Sequence, residues 1–521
     1  MPNNSENFQY DSCISRGICS ISPRTSALIV VLIIYLRLTA KYYIKICKKI
    51  KPDNEIKNLV LNTITLAVTS QEISDTSFLE TMNKFKTLLP KIINKCNELF
   101  EDDDFKHEEI TSSELFTQTE NIIDSIKLGE RILNKTIANL PPKTRDLHMT
   151  AMVISKSMSI NLLELESFDV YSEAAFEAIL NLLNSIDSNN TEKLIEEIKK
   201  SVKINNRLML LLRETQEEQY GEQEIKEVSY STTPGKAVLV IGSNIKELET
   251  ILDALKDTEI DVYTHDDMMT AHTFPKFSEY KSLKGQYGQG LENCLIDFAT
   301  FPGPIILTKH SLHNIENLYR GRLFTTDNIP PKGVIKIENK DFSEVIESAA
   351  NSKGFKSGKT CETIKIGFNF KETINLIREK LNSGIKRIFL IGLDLYSKEQ
   401  KTYFEKLIKT APEDTLIISF SYNFERENII FLNTCFDSLG LVRIFDSIKD
   451  YKIPLIVFMP KCGRNTISEM IYYSQIDNTK VFIGKCTPII LNPSLMNTLK
   501  DTFGIRSITN PRQDLKDITA S

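Results

Sequence analysis

The chain has 521 residues, with 64 Lys+Arg against 69 Asp+Glu, 41% hydrophobic and 26% charged residues. This is ordinary globular composition over roughly three domains at about 150 residues each, and it excludes a disordered, collagen-like or small disulfide-stapled protein. A net charge of −5 supplies no global positive field for a phosphate backbone, so nucleic acid is not an expected partner.

The first pronounced element is Ala27 to Leu36, ten apolar residues followed by Arg37, Lys41, Lys45, Lys48 and Lys49. A bilayer span needs about 20 apolar residues. The entry Ser22-Pro23-Arg24-Thr25 and the Ile/Leu/Val run read as a helix buried inside a bundle. A membrane-surface helix is the alternative, because residues 1–60 carry nine Lys/Arg against four Asp/Glu. From Thr25 to Glu218 apolar residues recur at helical spacing, as in Phe85, Leu88, Leu89, Ile92 and Ile93, which predicts a helical bundle. The acidic run Glu101 to Asp104 and the polar stretch Asp187 to Thr191 read as connections.

After Ser231 to Gly235 the pattern changes to short β-branched runs alternating with amphipathic helices. Predicted strands are Ala237–Ile241, Ile260–Thr264, Pro304–Thr308 and Val334–Ile337. A second block follows with Arg387–Ile391, Leu416–Phe420, Leu441–Phe445, Pro454–Phe458 and Lys480–Ile483. The expected architecture is α + α/β: a helical domain over 1–225 that includes an N-terminal cysteine loop, then Rossmann-like α/β domains over 226–358 and 359–521.

Nucleotide motifs are missing from these α/β segments. Gly242 is followed by Ser243-Asn244-Ile245 with no further glycine in the turn, so neither the dinucleotide fingerprint nor a P-loop is present. His265 and His272 lie seven apart and could share a helix face, but no HExxH pattern accompanies them, which favours hydrogen-bonding roles. Nine cysteines, at 13, 19, 47, 96, 294, 361, 435, 462 and 486, form no regular framework, and no cleavable secretion signal stands out, so a reducing cytoplasmic setting is expected.

The strings THDDMMTAHTFP (264–275), YGQG (287–290), DFATFPGPIILT (297–308) and DFSEVIESAANSKGF (341–355) resemble the hybrid cluster protein family, also called prismane proteins or hydroxylamine reductases. The N-terminal segment 13–42 is similar to the family's cysteine loop and first helix, and FGIRSITNPRQDLKDI (503–518) to its C-terminus. The resemblance implies a helical domain followed by two α/β domains, a cubane iron–sulfur cluster near the N-terminus and a hybrid iron–sulfur–oxygen cluster where the domains meet. Such clusters are held by thiolates. Cys13 and Cys19 match the last two of the four N-terminal cysteines; the first two fall near Met1 and Asn4.

At the hybrid site the resemblance places Ser243 where the family has histidine, Asp267 where it has glutamate, and Ser311, Asp394, Tyr422 and about Asp450 where it has cysteines; its final glutamate falls near Gly463. The expectation is therefore a diverged scaffold without the hybrid cluster, non-catalytic and serving a binding or regulatory role, with Cys13 and Cys19 as remnant iron–sulfur ligands. The alternative is an iron–sulfur oxidoreductase acting on hydroxylamine or nitric oxide. If the fold is kept, Asp267, Asp394, Asp450, Ser243 and Ser311 would form an oxygen set suited to Mg²⁺, Mn²⁺ or Ca²⁺, or else hydrogen-bond one another and trapped water. Self-association or pairing with an active paralogue is a further expectation.

Overall fold

The computed structural model describes residues 21–519 except 70, 101–111, 187–189, 289–293, 312–317, 395–397, 435, 461–462 and 485–491. Cys13 and Cys19, the acidic run Glu101 to Asp104 and most of the stretch from 187 to 191 therefore lie outside the described residues. The chain divides into two compact units, Met1–Leu208 and Met209–Ser521.

The first unit is helical: α1 (Pro23–Cys47), α2 (Asn54–Ala67), α3 (Asp75–Leu99), α4 (Ser112–Gln118), α5 (Ile122–Ile132), α6 (Pro142–Glu166), α7 (Glu173–Ser185) and the start of α8 (Thr191–Tyr220). The Ser22 side chain caps α1 by accepting from the Thr25 amide, and Pro23 takes the first turn, where its missing N–H costs nothing. Asp53 and Ser74 cap α2 and α3 in the same way. Helix α1 is long and apolar enough to cross a membrane, yet Ala27, Val31, Leu32, Tyr35 and Leu36 are all fully buried in this unit, as the bundle reading expects. Its close approach to α5 requires a glycine: a Cβ on Gly129 would lie 2.0 Å from the Ala27 carbonyl oxygen. Helix α6 is buried over nearly its whole circumference and carries polar residues inward. Its Asn161 donates to Asn205 at 2.9 Å, and Lys57 pairs with Glu166 at 2.8 Å.

The second unit contains the strands β1 (Lys226–Ser229), β2 (Lys236–Ile241), β3 (Ile260–His265), β4 (Leu283–Gln286), β5 (Ile305–Leu307), β6 (Leu323–Thr325), β7 (Ile335–Lys336), β8 (Thr363–Ile366), β9 (Arg387–Ile391), β10 (Thr415–Ser419), β11 (Ile429–Phe431), β12 (Leu455–Met459), β13 (Thr479–Ile483) and β14 (Arg506–Ser507). Two six-stranded parallel sheets form, in the orders β4-β3-β2-β5-β6-β7 and β11-β10-β9-β12-β13-β14. Numbered within each sheet, both orders are 3-2-1-4-5-6, the doubly wound arrangement. Fully apolar strands such as Ala237–Ile241 and Ile388–Ile391 are buried because helices cover both faces. Between the sheets lies an antiparallel ribbon of β1 and β8, extended by bridges Thr232–Lys359 and Gly235–Phe355. Its Val228 and Ile366 pack with Met269, and Phe436 packs against the same cluster.

One predicted strand is corrected. Leu441–Phe445 lies inside a helix, Ser438–Ile448, because Asp437 caps it by accepting from the Gly440 amide, and Leu441, Ile444, Phe445 and Ile448 bury one helical face.

The Asp437 cap also takes part in a fully buried ion pair with Arg213 of α8, both side chains 1% exposed. One turn further on α8, Glu217 pairs with Arg443 of the Ser438–Ile448 helix. The Arg213 guanidinium lies 5.3 Å from the Phe274 ring, and that of Arg443 3.7 Å from Phe370. Breaking such a pair leaves an uncompensated charge in the interior. Arg213→Ala is expected to destabilise the α/β unit by about 3–5 kcal/mol in denaturant unfolding, whereas Arg213→Met with Asp437→Asn, which removes both charges and keeps a capping oxygen, should recover much of that loss.

Candidate functional site

In a doubly wound sheet the crevice for ligands opens at the carboxyl ends of the strands, where the order reverses between the first and fourth strand. In the first sheet that point lies between β2 and β5. Gly242 leaves β2 with φ 122°, and a Cβ there would meet Thr308 Oγ1 at 2.0 Å and Ser311 Oγ at 2.2 Å, so only glycine fits the turn. Half-buried Ser243 follows, and Asn244 caps the helix Ile245–Leu255 through the Glu247 amide at 3.1 Å. Ser311 is used locally: its hydroxyl donates to the Thr308 carbonyl at 2.6 Å and reaches that of Ile241 at 3.3 Å. In the first turn of the same helix, the Glu247 carboxylate accepts from the Lys309 amide at 2.8 Å and from Thr326 Oγ1 at 2.6 Å, and pairs with Lys309 Nζ at 3.2 Å. A carboxylate at this helix start opposes phosphate, in keeping with the missing nucleotide motifs.

The register pairs Ile241 of β2 with His265 of β3, so Ser243 and Asp267 leave neighbouring strands at the same level. The structure therefore brings Ser243, Ser311 and Asp267 to one rim. The two histidines here do not share a helix face. His265 ends β3, is fully buried and meets Asp297 Oδ2 through Nε2 at 3.0 Å; His272 lies in the following 3₁₀ segment and meets Thr264 Oγ1 at 2.8 Å. Burial pushes the His272 pKa down to about 4, so it stays neutral at pH 7.

In the second sheet the reversal lies between β9 and β12. Asp394 follows β9, is fully buried and accepts from Gln400 Nε2 at 2.9 Å; the same amide reaches the Pro460 carbonyl after β12 at 3.4 Å. The Gly463 amide donates to Thr466 Oγ1 at 2.7 Å. Asp450 is not part of this group. It follows the helix Ser438–Ile448, is exposed, and precedes β12, which puts it at the amino edge of the sheet, a strand length away from Asp394. Tyr422 is buried among Phe404 and Phe424. Among the described residues, no three His, Cys, Asp or Glu side chains gather so as to hold a metal ion. The described cysteines are Cys47, Cys96, Cys294 and Cys361, and none stands among the described residues that directly follow β2, β5, β9 or β12.

These donors do not fit a thiolate-held cluster. Ser243, Ser311, Asp267 and Asp394 offer hard oxygens, whereas iron–sulfur clusters require soft sulfur ligands.

One carboxyl near the second crevice gives no sequence signal. Glu469, in the helix Thr466–Tyr473 that follows β12, is 4% exposed, and Tyr473 donates to it at 3.2 Å. Burial raises its pKa to about 8, against the opposing effects of the Tyr473 hydrogen bond and the Arg464 charge. The native state thus holds this proton more tightly than the unfolded chain, whose carboxyl keeps its ordinary value of 4.5. The resulting stabilisation is complete below about pH 4.5 and is lost as pH rises through about 8. Glu469→Gln should abolish that dependence, so its melting temperature relative to wild type is expected to rise between pH 5 and pH 8.5.

Comparison with known proteins places this geometry. The chain matches the Prismane/CO dehydrogenase family over residues 9–429. A protein named hydroxylamine reductase from Thermodesulfovibrio yellowstonii is 25% identical over 535 residues, covering 97% of each chain. One of the same name from Acidiphilium cryptum is 24% identical over 540 residues, covering 97% of this chain and 95% of its own. Another, from Methanocella arvoryzae, is 26% identical over 337 residues, covering 60% and 62%. With the family match running through the helical unit and across the first sheet into the second, the chain belongs to the Prismane/CO dehydrogenase family.

Proposed function

We propose that this chain is a diverged hybrid-cluster-protein-like scaffold that works without the hybrid cluster, as a binding or regulatory protein rather than a catalyst. The observation that carries the reading is the donor chemistry at the two crevices. Ser311 spends its hydroxyl on the Thr308 and Ile241 carbonyls, and Asp394 is bonded to Gln400. Neither is a soft ligand, and each is already part of a local hydrogen-bond set. Intracellular action in the cytoplasm belongs to the same reading, as does self-association or pairing with an active paralogue.

A second reading is an iron–sulfur oxidoreductase of the hydroxylamine reductase type, favoured by relatives of that name that match 97% of the chain. It relies on Cys13 and Cys19, and on thiols such as Cys435, Cys462 and Cys486, all of which lie outside the described residues. Anaerobic purification with iron and acid-labile sulfide determination separates the two. The scaffold reading expects neither element at stoichiometric level. About four irons per chain would establish a cubane cluster at the N-terminal cysteines; a content well above four would restore the enzyme.

A further inference from the structure

The turn that follows β5 gathers hydrogen-bond donors, and the protein's own carboxylates fill them. Residues 308–311 form a β-turn closed by the Ser311 amide on the Thr308 carbonyl at 3.1 Å, with His310 at φ 62°, a left-handed conformation uncommon for a residue with a side chain. The two central amides are left to donate elsewhere. Successive N–H groups of a turn make a concavity that binds anions. Here the Lys309 amide donates to Glu247 Oε2 at 2.8 Å, and the His310 amide to Asp327 Oδ2 at 2.8 Å.

Further donors meet the same two carboxylates. Thr326 Oγ1 reaches Glu247 Oε2, the atom that takes the Lys309 amide, at 2.6 Å, and Lys309 Nζ lies 3.2 Å from Oε1. The His310 ring stands 4.0 Å from Asp327 through Nδ1. Glu247 belongs to the helix that follows β2, whereas Thr326 and Asp327 follow β6, so the set ties three strand ends together at the carboxyl edge of the first sheet. The Glu247 side chain is 12% exposed against 38% for Lys309, which puts the carboxylate beneath and the ammonium toward solvent. A helix start at the switch point of a doubly wound sheet is also where such folds seat anionic ligands.

We infer that Glu247 and Asp327 form an autoinhibitory contact: they occupy a nest suited to a small oxyanion and thereby hold the Ser311 turn against the ends of β2 and β5. An outside carboxylate must displace Glu247 to reach Lys309. The contact goes beyond the scaffold reading and does not depend on it, since it uses no thiol and neither Asp267 nor Asp394.

Chemical rescue of the full-length protein near neutral pH tests the contact. Glu247→Ala removes the side chain beyond Cβ, roughly the outline of an acetate ion, and leaves the Lys309 amide, Lys309 Nζ and the Thr326 hydroxyl facing that space. Hydrogen exchange at the Lys309 and Ser311 amides is expected to quicken at least about tenfold in this variant. Sodium acetate should slow it again, whereas sodium chloride at the same ionic strength and neutral acetamide should not. The melting temperature of the variant should rise with acetate, because an anion that binds only the folded state stabilises it. Wild type, whose nest is filled, should show no acetate effect at these amides. If Glu247→Ala does not fold, Asp327→Ala is read in the same way through the His310 amide. Exchange that the variant leaves unchanged, or quickened exchange that acetate slows no more than chloride does, overturns the contact. Acetate that slows exchange in the wild type overturns it as well, since the nest would then be open.

Discussion

The α/β unit depends on one buried charge pair, Arg213 with Asp437. The residues are 224 positions apart, both side chains are 1% exposed, and Asp437 simultaneously starts the helix that leads into β12. The end of the long helix is thereby a strut. On one side it meets the second sheet's module through Arg213 and Glu217. On the other, Tyr220 donates to Glu249 at 3.0 Å and packs on Phe277 at 5.0 Å, while Arg213 lies over Phe274. A buried ion pair adds little net stability over a well-packed apolar pair, but its geometry is demanding, which suits a contact that fixes orientation.

That orientation matters because both crevices open at the carboxyl edges of their sheets, and the residues that follow β3 and β11 supply the strut's partners. Phe274 directly ends the 3₁₀ segment carrying Asp267, and Asp437 follows β11. The ribbon adds a second tie, with Met269 from the first module and Phe436 from the second on one apolar cluster. At the crevices Ser311 and Asp394 are engaged in local hydrogen bonds, to the Thr308 and Ile241 carbonyls and from Gln400, rather than in ties between the two sheets. Function in such folds resides in the side chains at the rim, not in the sheet order.

Much of this was legible in the residues. Apolar strands of five or six residues, such as Lys236–Ile241 and Leu455–Met459, stand out because helices bury both their faces. Strands of two to four residues, β1, β4, β6, β8, β11 and β14, escaped because they are too short to show a period and are specified by their neighbours. Leu441–Phe445 misled because a continuous apolar run fits a strand or a buried helix equally, and only the Asp437 cap decides. At the site, Ser243, Ser311 and Asp267 lie at one rim, while Asp450 sits at the amino edge of the second sheet, which spacing in the sequence does not report. Arg213 and Glu469 carry no motif; their significance comes from burial and from the partners the fold brings to them, which periodicity does not report.

The proposed function requires that the family framework persist without soft-ligand chemistry at the two crevices. Anomalous X-ray scattering at the iron edge, from crystals of protein purified and grown without oxygen, tests it at the position in question. A cluster-free scaffold gives no iron peak at the carboxyl ends of either sheet, with Ser311 still turned to the Thr308 carbonyl and Asp394 to Gln400. A cluster of iron peaks between those turns would contradict it.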